Sequence, residues 1–428
     1  MNILHLSSYD DGGAGYAAYK VHKHLKDAGH NTLFCVERKT IKDDAIIEIR
    51  PSLLHKLKRK IFRFFEDKLL DSSYSFIDRG HYSLNSIEKF KKNVAMKPDV
   101  IVIYWVSRFI NMKFIYKLHK EYNVPIFWYF LDMAPMTGGC HYALECQGYF
   151  HNCKNCKAIK SKYWKLSEKN WKHKKKYIDK SKIVGMTISS WTKKQAKQSS
   201  LFKDVPIERL IIDVDENIFQ PINKTALRKK YNLSADKKII LFGAMNFNDY
   251  RKGMNFLFDA FQQLKKSSKV NIEEIILVSI GNINNIDISR ISGFEHVNLG
   301  YLNGEEKLAE AYQLADIFVS PSIDDSGPMM INEAIMCGTP VVAFKTGVAC
   351  DLVINNKTGY LAEIKNIDDF CDGMAALLNM NKVQYDEMSR SCRMLGLELY
   401  SSKKQLDKIL AIFHKYSYDF KGEGVHSG

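Results

Sequence analysis

Ser320-Pro-Ser-Ile-Asp-Asp-Ser-Gly-Pro-Met-Met-Ile-Asn-Glu-Ala-Ile-Met-Cys-Gly-Thr-Pro-Val-Val-Ala-Phe344 sets a strand end, a turn, a helix and a second strand in succession. An apolar run closes at Ser320, the polar turn carries Asp325 and Gly327, and a helix begins near Pro328. Strand, loop, helix and strand in this order form the repeating unit of a parallel α/β sheet. Amides at a helix start, with a flexible Gly beside them, make an anion site. Asp325 stands just before that site and Glu333 lies one to two turns inside the helix. Helix amides for phosphate and a carboxylate for hydroxyls together describe a nucleotide-sugar pocket. An ordinary capped helix has the same outline.

The alternation continues on both sides of this stretch. Strands are expected at 238–243, 274–280, 297–299, 317–320 and 340–344, with helices at 253–264, 305–315 and 331–337, then a helical region to about Tyr418. The amino-terminal half opens with a strand at 3–6 and the turn-rich 7–15. A helix with Ala17, Ala18, Val21 and Leu25 on one side follows, stopped by Gly29, and then a strand at 32–36. Further continuous apolar strands are expected at 100–104, 125–130, 183–187 and 207–212, of the kind buried on both faces. Two α/β units result: residues 1–215, residues 216–400, and a carboxy-terminal helix at 401–428 packing back toward the first. The cleft between such units is where a ligand is expected.

Composition bounds the rest. A chain of 428 residues exceeds one ordinary core, and 46% apolar with 26% charged residues excludes a disordered or fibrous protein. The opening residues lack the basic n-region and apolar core of a secretory signal, and no run approaches a membrane span, so a cytoplasmic protein is expected. The net charge of +15 is divided unevenly, with +19 in residues 1–200 and −4 in the remainder. The basic half should therefore face something anionic, either a phospholipid surface or nucleic acid. Nine Cys, unevenly spaced, fit free thiols or a metal better than disulfides.

Beyond these readings, the stretch from Ser320 resembles the donor-binding motif of the retaining glycosyltransferases of family four. Those enzymes have the GT-B fold, two Rossmann-like doubly wound α/β domains. Members carry two carboxylates separated by seven residues, then a Cys-Gly-Thr-Pro-Val-Val stretch; Asp325, Glu333 and Cys337-Gly338-Thr339-Pro340-Val341-Val342 match. The resemblance implies that Glu333 binds the nucleotide ribose and that Asp325 faces the donor sugar, Asp replacing the usual Glu. Arg251-Lys252-Gly253 follows the 238–243 strand and opens a helix. Two cations beside helix amides suit a diphosphate, although a solvated surface pair would look the same. By resemblance Lys252 takes the diphosphate. The family's usual Gly-Arg is Gly243-Ala244 here, which leaves Arg251 to substitute. Gly12-Gly13-Ala14-Gly15 is similar to the family's amino-terminal loop, which approaches the donor phosphates and the acceptor, and this places Gly13 among the donor-binding residues. Asp215 and Phe219-Gln220-Pro221 match its inter-domain segment.

Phe127–Tyr142 is similar to a His-Asp…Thr-Gly-Gly-Cys-His-Tyr block of bacterial enzymes that build capsule, O-antigen lipopolysaccharide or exopolysaccharide. The usual His falls at Leu131, while Asp132 is retained to orient the acceptor hydroxyl or take its proton. A turn-capping Asp is the alternative, and His141 reads as structural. Cys140, Cys146, Cys153 and Cys156 fall in one short window, and four thiolates complete a tetrahedral zinc shell. A structural zinc that orders this loop is expected, and no catalytic metal; buried thiols or a redox pair are the alternatives.

Two basic features remain. Residues 51–70 place Leu54, Leu57, Ile61, Phe65 and Leu69 at helical spacing among Lys56, Lys58, Arg59, Lys60 and Arg63, with Ser52 as N-cap. That suits a helix on anionic lipid; a surface helix packed on its own domain is the alternative. Residues 164–176 combine Trp164 and Trp171 with a Lys run, read as a solvated charged face, with no nucleic-acid module legible. The expectation is a retaining hexosyltransferase of surface polysaccharide synthesis, peripheral at the inner face of the cytoplasmic membrane. It would use a nucleotide-sugar donor and a lipid-linked or glycan acceptor, and no nucleic acid. A nucleotide-sugar 2-epimerase of the same fold is one rival. The other is a non-catalytic, basic, zinc-binding interaction protein, favoured by Leu131 and Ala244.

Overall fold

The computed structural model describes residues 1–71, 74–161, 164–283 and 287–422; the end of the expected 401–428 helix lies outside them. Seven strands form one wholly parallel sheet: β1 (Asn2–Tyr9), β2 (Asn31–Arg38), β3 (Ile46–Glu48), β4 (Val100–Ile103), β5 (Ile126–Phe130), β6 (Ile183–Thr187) and β7 (Ile207–Arg209). Their order is β3-β2-β1-β4-β5-β6-β7. The helices between them are α1 (Gly12–Asp27), α2 (Leu53–Leu69), α3 (Ile87–Lys91), α4 (Met112–Tyr122), α5 (Leu166–Ile178) and α6 (Ser190–Gln198). A second parallel sheet holds β8 (Lys238–Gly243), β9 (Ile275–Ile280), β10 (Glu295–Asn298), β11 (Ile317–Ser320), β12 (Val341–Phe344) and β13 (Gly359–Ala362). Its order is β10-β9-β8-β11-β12-β13. With it go α7 (Lys224–Lys230), α8 (Met254–Ser267), α9 (Glu305–Leu314), α10 (Met329–Met336), α11 (Ala349–Leu352), α12 (Ile367–Leu378), α13 (Lys382–Tyr400) and α14 (Ser402–Gly422).

Each sheet belongs to its own compact unit. The first comprises residues 1–188, 192–212 and the chain from Leu406 on; the second comprises 189–191 and 213–405. Helix α14 thus begins in one unit and continues in the other, where Phe413 meets Phe127 of β5 at 4.6 Å between ring centroids. Continuous apolar strands are buried along their length, as the central strands of a sheet covered on both faces must be. Some polar groups that go in with them find partners, as in the His5 Nδ1 contact with the Tyr104 hydroxyl at 3.0 Å, while His5 Nε2 has none among the described residues. Gly29, at φ +85°, ends α1 in the left-handed conformation that glycine adopts without penalty.

Each sheet reverses its strand order once, at β1/β4 in the first and at β8/β11 in the second. Ligands of such sheets sit beyond the carboxyl ends of the strands at that reversal. Among the described residues no helix is long and apolar enough to cross a membrane.

Of four local expectations, two change, one holds and one has an exception. The 207–212 strand pairs only as far as Arg209, because its partner β6 ends at Thr187; Leu210 N–H makes one more bond, to the Thr187 carbonyl at 2.9 Å. The region after Phe344 is not one helical stretch: β13 and three helices precede α14. The 51–70 helix forms as α2, with Ser52 Oγ accepting the His55 N–H at 3.2 Å. Its apolar stripe does not pack on its own unit, however, and Glu66 is its buried residue. The 164–176 run is a largely solvated face, with Lys165, Lys169, Lys172 and Lys176 exposed, and Lys174 is its exception. Lys174 is buried on α5, 2.9 Å from Asp78 and bonded to the carbonyls of Ala134 and Thr137.

Candidate active site

In the second unit, the loops leaving β8 and β11 meet at the strand reversal. After β8 the chain makes a 3-10 turn, Tyr250–Lys252, started by the Asp249 carboxylate accepting the Arg251 N–H at 3.3 Å. Gly253 then opens α8 at φ +70°. A Cβ there would lie 1.8 Å from the Pro321 carbonyl oxygen, so this position requires glycine. The closeness has a purpose in the fold: Ile323 N–H bonds the Arg251 carbonyl at 2.8 Å, stitching the two loops together.

This stitching brings three of the expected site residues to one point. Asp325 Oδ2 lies 2.8 Å from Arg251 Nη1 and 2.6 Å from Lys252 Nζ, while Oδ1 accepts the Gly327 N–H at 3.2 Å. Burial alone would push the Asp325 carboxyl up. Lys252 and Arg251 more than offset that and hold it below the usual aspartate range. Arg251 also pairs with Asp249 through Nε at 2.9 Å. The pair read as a possible surface feature is therefore a fixed cation cluster on a buried carboxylate. Gly327 and Pro328 are half-buried, and Pro328 is the N-cap of α10. Glu333 lies on that helix, its Oε2 accepting the Tyr312 hydroxyl at 2.8 Å. Burial, then the Glu333 charge, push the Tyr312 hydroxyl well above its ordinary value, so it stays a donor.

In the first unit, Gly13 lies exposed in the first turn of α1 rather than in a loop. The N-cap Asp11 makes no side-chain cap bond; its carboxylate takes Arg38 Nη2 at 2.8 and 3.0 Å. Asp132, beyond the end of β5, is buried. Its Oδ1 accepts the Ala134 N–H at 2.8 Å, and Oδ2 hydrogen-bonds to His141 Nδ1. Trp105 Nε1 lies 2.9 Å from that same nitrogen, and Ser107 Oγ lies 3.2 Å from Nε2. Asp132 thus does cap its turn, and His141, read as merely structural, is its partner. Nothing in the local spacing tied that imidazole to Asp132. The link depends on the Thr137–Cys140 turn folding back, with Thr137 Oγ1 donating to the Cys140 carbonyl at 2.6 Å.

Cys140, Cys146, Cys153 and Cys156 all line one cavity of about 180 Å³. Gly138 N–H donates to Cys153 Sγ at 3.1 Å, and Gly148 N–H to Cys146 Sγ at 3.4 Å. Among the described residues, no three or more His, Cys, Asp or Glu are spaced to hold a metal ion.

Residues 223–393, which carry the Arg251, Lys252, Asp325 and Glu333 cluster, match the family Glycosyl transferases group 1. The D-inositol 3-phosphate glycosyltransferase of Mycobacteroides abscessus is 28% identical over 173 residues, 39% of this chain and 37% of that protein. The chain therefore spans little more than a third of that relative's length. Among solved structures, the sucrose-phosphate synthase of Thermosynechococcus elongatus superposes with a TM-score of 0.68 at 16% identity, over 97% of this chain and 98% of its own. Anabaena HepE, solved in complex with UDP and glucose, gives 0.66 at 13%, over 97% and 100%. The fold is GT-B, with two Rossmann-like parallel-sheet domains.

Proposed function

We propose that the protein is a retaining glycosyltransferase. It moves a sugar from a nucleotide-sugar donor to a lipid-linked or growing glycan acceptor, in surface polysaccharide synthesis at the inner face of the cytoplasmic membrane. The observation that carries this reading is the convergence of Arg251 and Lys252 on Asp325 at the β8/β11 reversal, inside the segment that matches group 1 glycosyl transferases. In this reading Glu333, held by Tyr312, accepts the ribose hydroxyls. Arg251 and Lys252 take the diphosphate, and Asp325 orients both cations toward it. The bond from the anomeric carbon to the β-phosphate oxygen breaks while the acceptor oxygen bonds on the same face. The acceptor proton passes to the departing phosphate oxygen. Charge grows on that phosphate, so fixed cations act most strongly in the transition state. Asp132 is buried against His141 and acts through it, as a positioning residue on the acceptor side. The neighbour HepE was solved with UDP and glucose, which makes uridine-diphosphate sugars the first donors to test.

Incubation with labelled nucleotide sugars and a bacterial lipid extract tests the reading. Label should pass to the lipid fraction with the donor's anomeric configuration. Epimerised donor released without an acceptor, or no turnover with any donor, contradicts it.

The four cysteines complete the proposal as a structural zinc site that pins the loop bearing Asp132. The donor set fits the ion: four soft sulfurs around one cavity, two of them already accepting backbone N–H groups, as the partners of metal thiolates do. Cys140 and Cys156 already share a hydrogen bond, but no three of the sulfurs are spaced to hold an ion, so binding must draw them inward. Protein purified without chelator or metal-affinity tag should contain about one zinc per chain. Four freely titratable thiols and no zinc would remove the idea.

A further inference from the structure

Helix α2 is turned the wrong way for a helix that packs on its own unit. Leu54, Leu57, Phe64 and Phe65 are 56–63% exposed, a face that would normally cover a core. The inner side explains the inversion, because it is charged. Beneath it lies a cavity of about 420 Å³, lined by eight Lys and Arg side chains against three Glu. Each Glu already has a cation: Glu37 has Arg59, Glu48 has Arg50, and Glu66 has His81 and Arg79. Lys56, Lys60 and Arg108 have no carboxylate partner among the described residues. Arg79 pairs with Asp67 through Nη2 at 2.7 Å, yet its buried Nε and Nη1 have no hydrogen-bond partner. Arg108 stands at φ +70°, a left-handed conformation that strains a non-glycine residue. Burial pushes its guanidinium below the ordinary value, and Arg63, Arg59 and Arg79 add to that push. Cations crowded in this way need an anion.

The position is equally specific. Tyr9, Arg38 and Glu48 end β1, β2 and β3, and Arg108 follows β4, so the cavity sits beyond the carboxyl ends of the strands at the β1/β4 reversal. One helix therefore presents cations to a recess at the ligand-binding edge of the sheet and large apolar side chains to the outside. A single-charge phospholipid head would leave most of the cation excess unmet, and a soluble phosphate would leave the apolar face unused.

We propose that this cavity holds the diphosphate of a lipid-linked acceptor, whose hydrocarbon chain lies along the outward face of α2. The word acceptor rests on the transferase reading; the binding itself can be measured without turnover. The experiment is co-sedimentation of the full chain with neutral phosphatidylcholine vesicles. They carry either a polyprenyl diphosphate or phosphatidylglycerol at matched surface charge. The parent protein should prefer the diphosphate vesicles by at least about tenfold. Lys56→Gln/Lys60→Gln should lose that preference, and Leu57→Gln/Phe65→Gln should bind all vesicles poorly. Both variants should keep the parent's thermal shift with nucleotide sugar, which separates this site from the donor site. Equal partition to the two vesicle types, an unchanged preference in the lysine variant, or equally tight binding of inorganic pyrophosphate or single-stranded DNA overturns the proposal. A protein that selects diphosphate vesicles but transfers no sugar contradicts the transferase reading and leaves the lipid diphosphate site standing.

Discussion

Lys252→Ala should lower kcat by about 10²–10³-fold, the usual cost of removing one fixed group from a charge that develops in the transition state. Lys252 Nζ is 2.6 Å from Asp325, on a turn that Asp249 caps and Ile323 stitches to the neighbouring loop. A cation held this way needs little reorganisation when the phosphate leaves. Stability should change much less than rate. Asp325 keeps Arg251 Nη1 and the Gly327 N–H after the substitution, so its charge does not become a buried orphan. The two quantities are read from initial rates at saturating donor and from urea unfolding. Turnover equal to the parent's, or a fall in rate matched by unfolding at the assay temperature, would contradict the phosphate role.

Much of this arrangement was legible because it is local. Apolar runs such as residues 238–243 and 317–320 are strands buried on both faces, and such runs keep their identity whatever surrounds them. Gly29 and Ser52 marked a helix stop and a helix start for reasons confined to one turn of chain. Asp325 and Glu333 stood out because their seven-residue separation resembles that of the family-four donor motif. What stayed hidden involves pairing over long separations. Arg251 and Asp325 are 74 residues apart, and only the adjacency of β8 and β11 brings them together. The same holds for Lys174 and Asp78, joined when α5 packs down, which takes one lysine out of an otherwise exposed run. Edge strands β3 and β13, of three and four residues, are too short to show a period. For α2 the periodicity gives a face but not the direction in which that face points, which left a helix on lipid and a helix packed on its own unit both open.

Glu333 offers the sharpest separation between a nucleotide-sugar site and an ordinary capped helix. Its carboxylate is oriented by Tyr312, whose hydroxyl donates to Oε2 at 2.8 Å, so the ribose would meet a charge already fixed in place. Charge-assisted hydrogen bonds of this kind contribute on the order of 1.5–3 kcal/mol, a loss of more than about tenfold in affinity when they are removed. Glu333→Ala also strips a buried tyrosine of its acceptor, which could weaken the unit for reasons unrelated to the ligand. Glu333→Gln keeps an oxygen for Tyr312 and removes only the charge, so the two variants belong together. The decisive measurement is a calorimetric titration of nucleotide sugar, starting with uridine-diphosphate sugars, into the parent protein and both variants. The account predicts saturable binding by the parent, weakened more than about tenfold in Glu333→Ala and clearly in Glu333→Gln, with all three proteins folded. Undiminished affinity in both variants would contradict it.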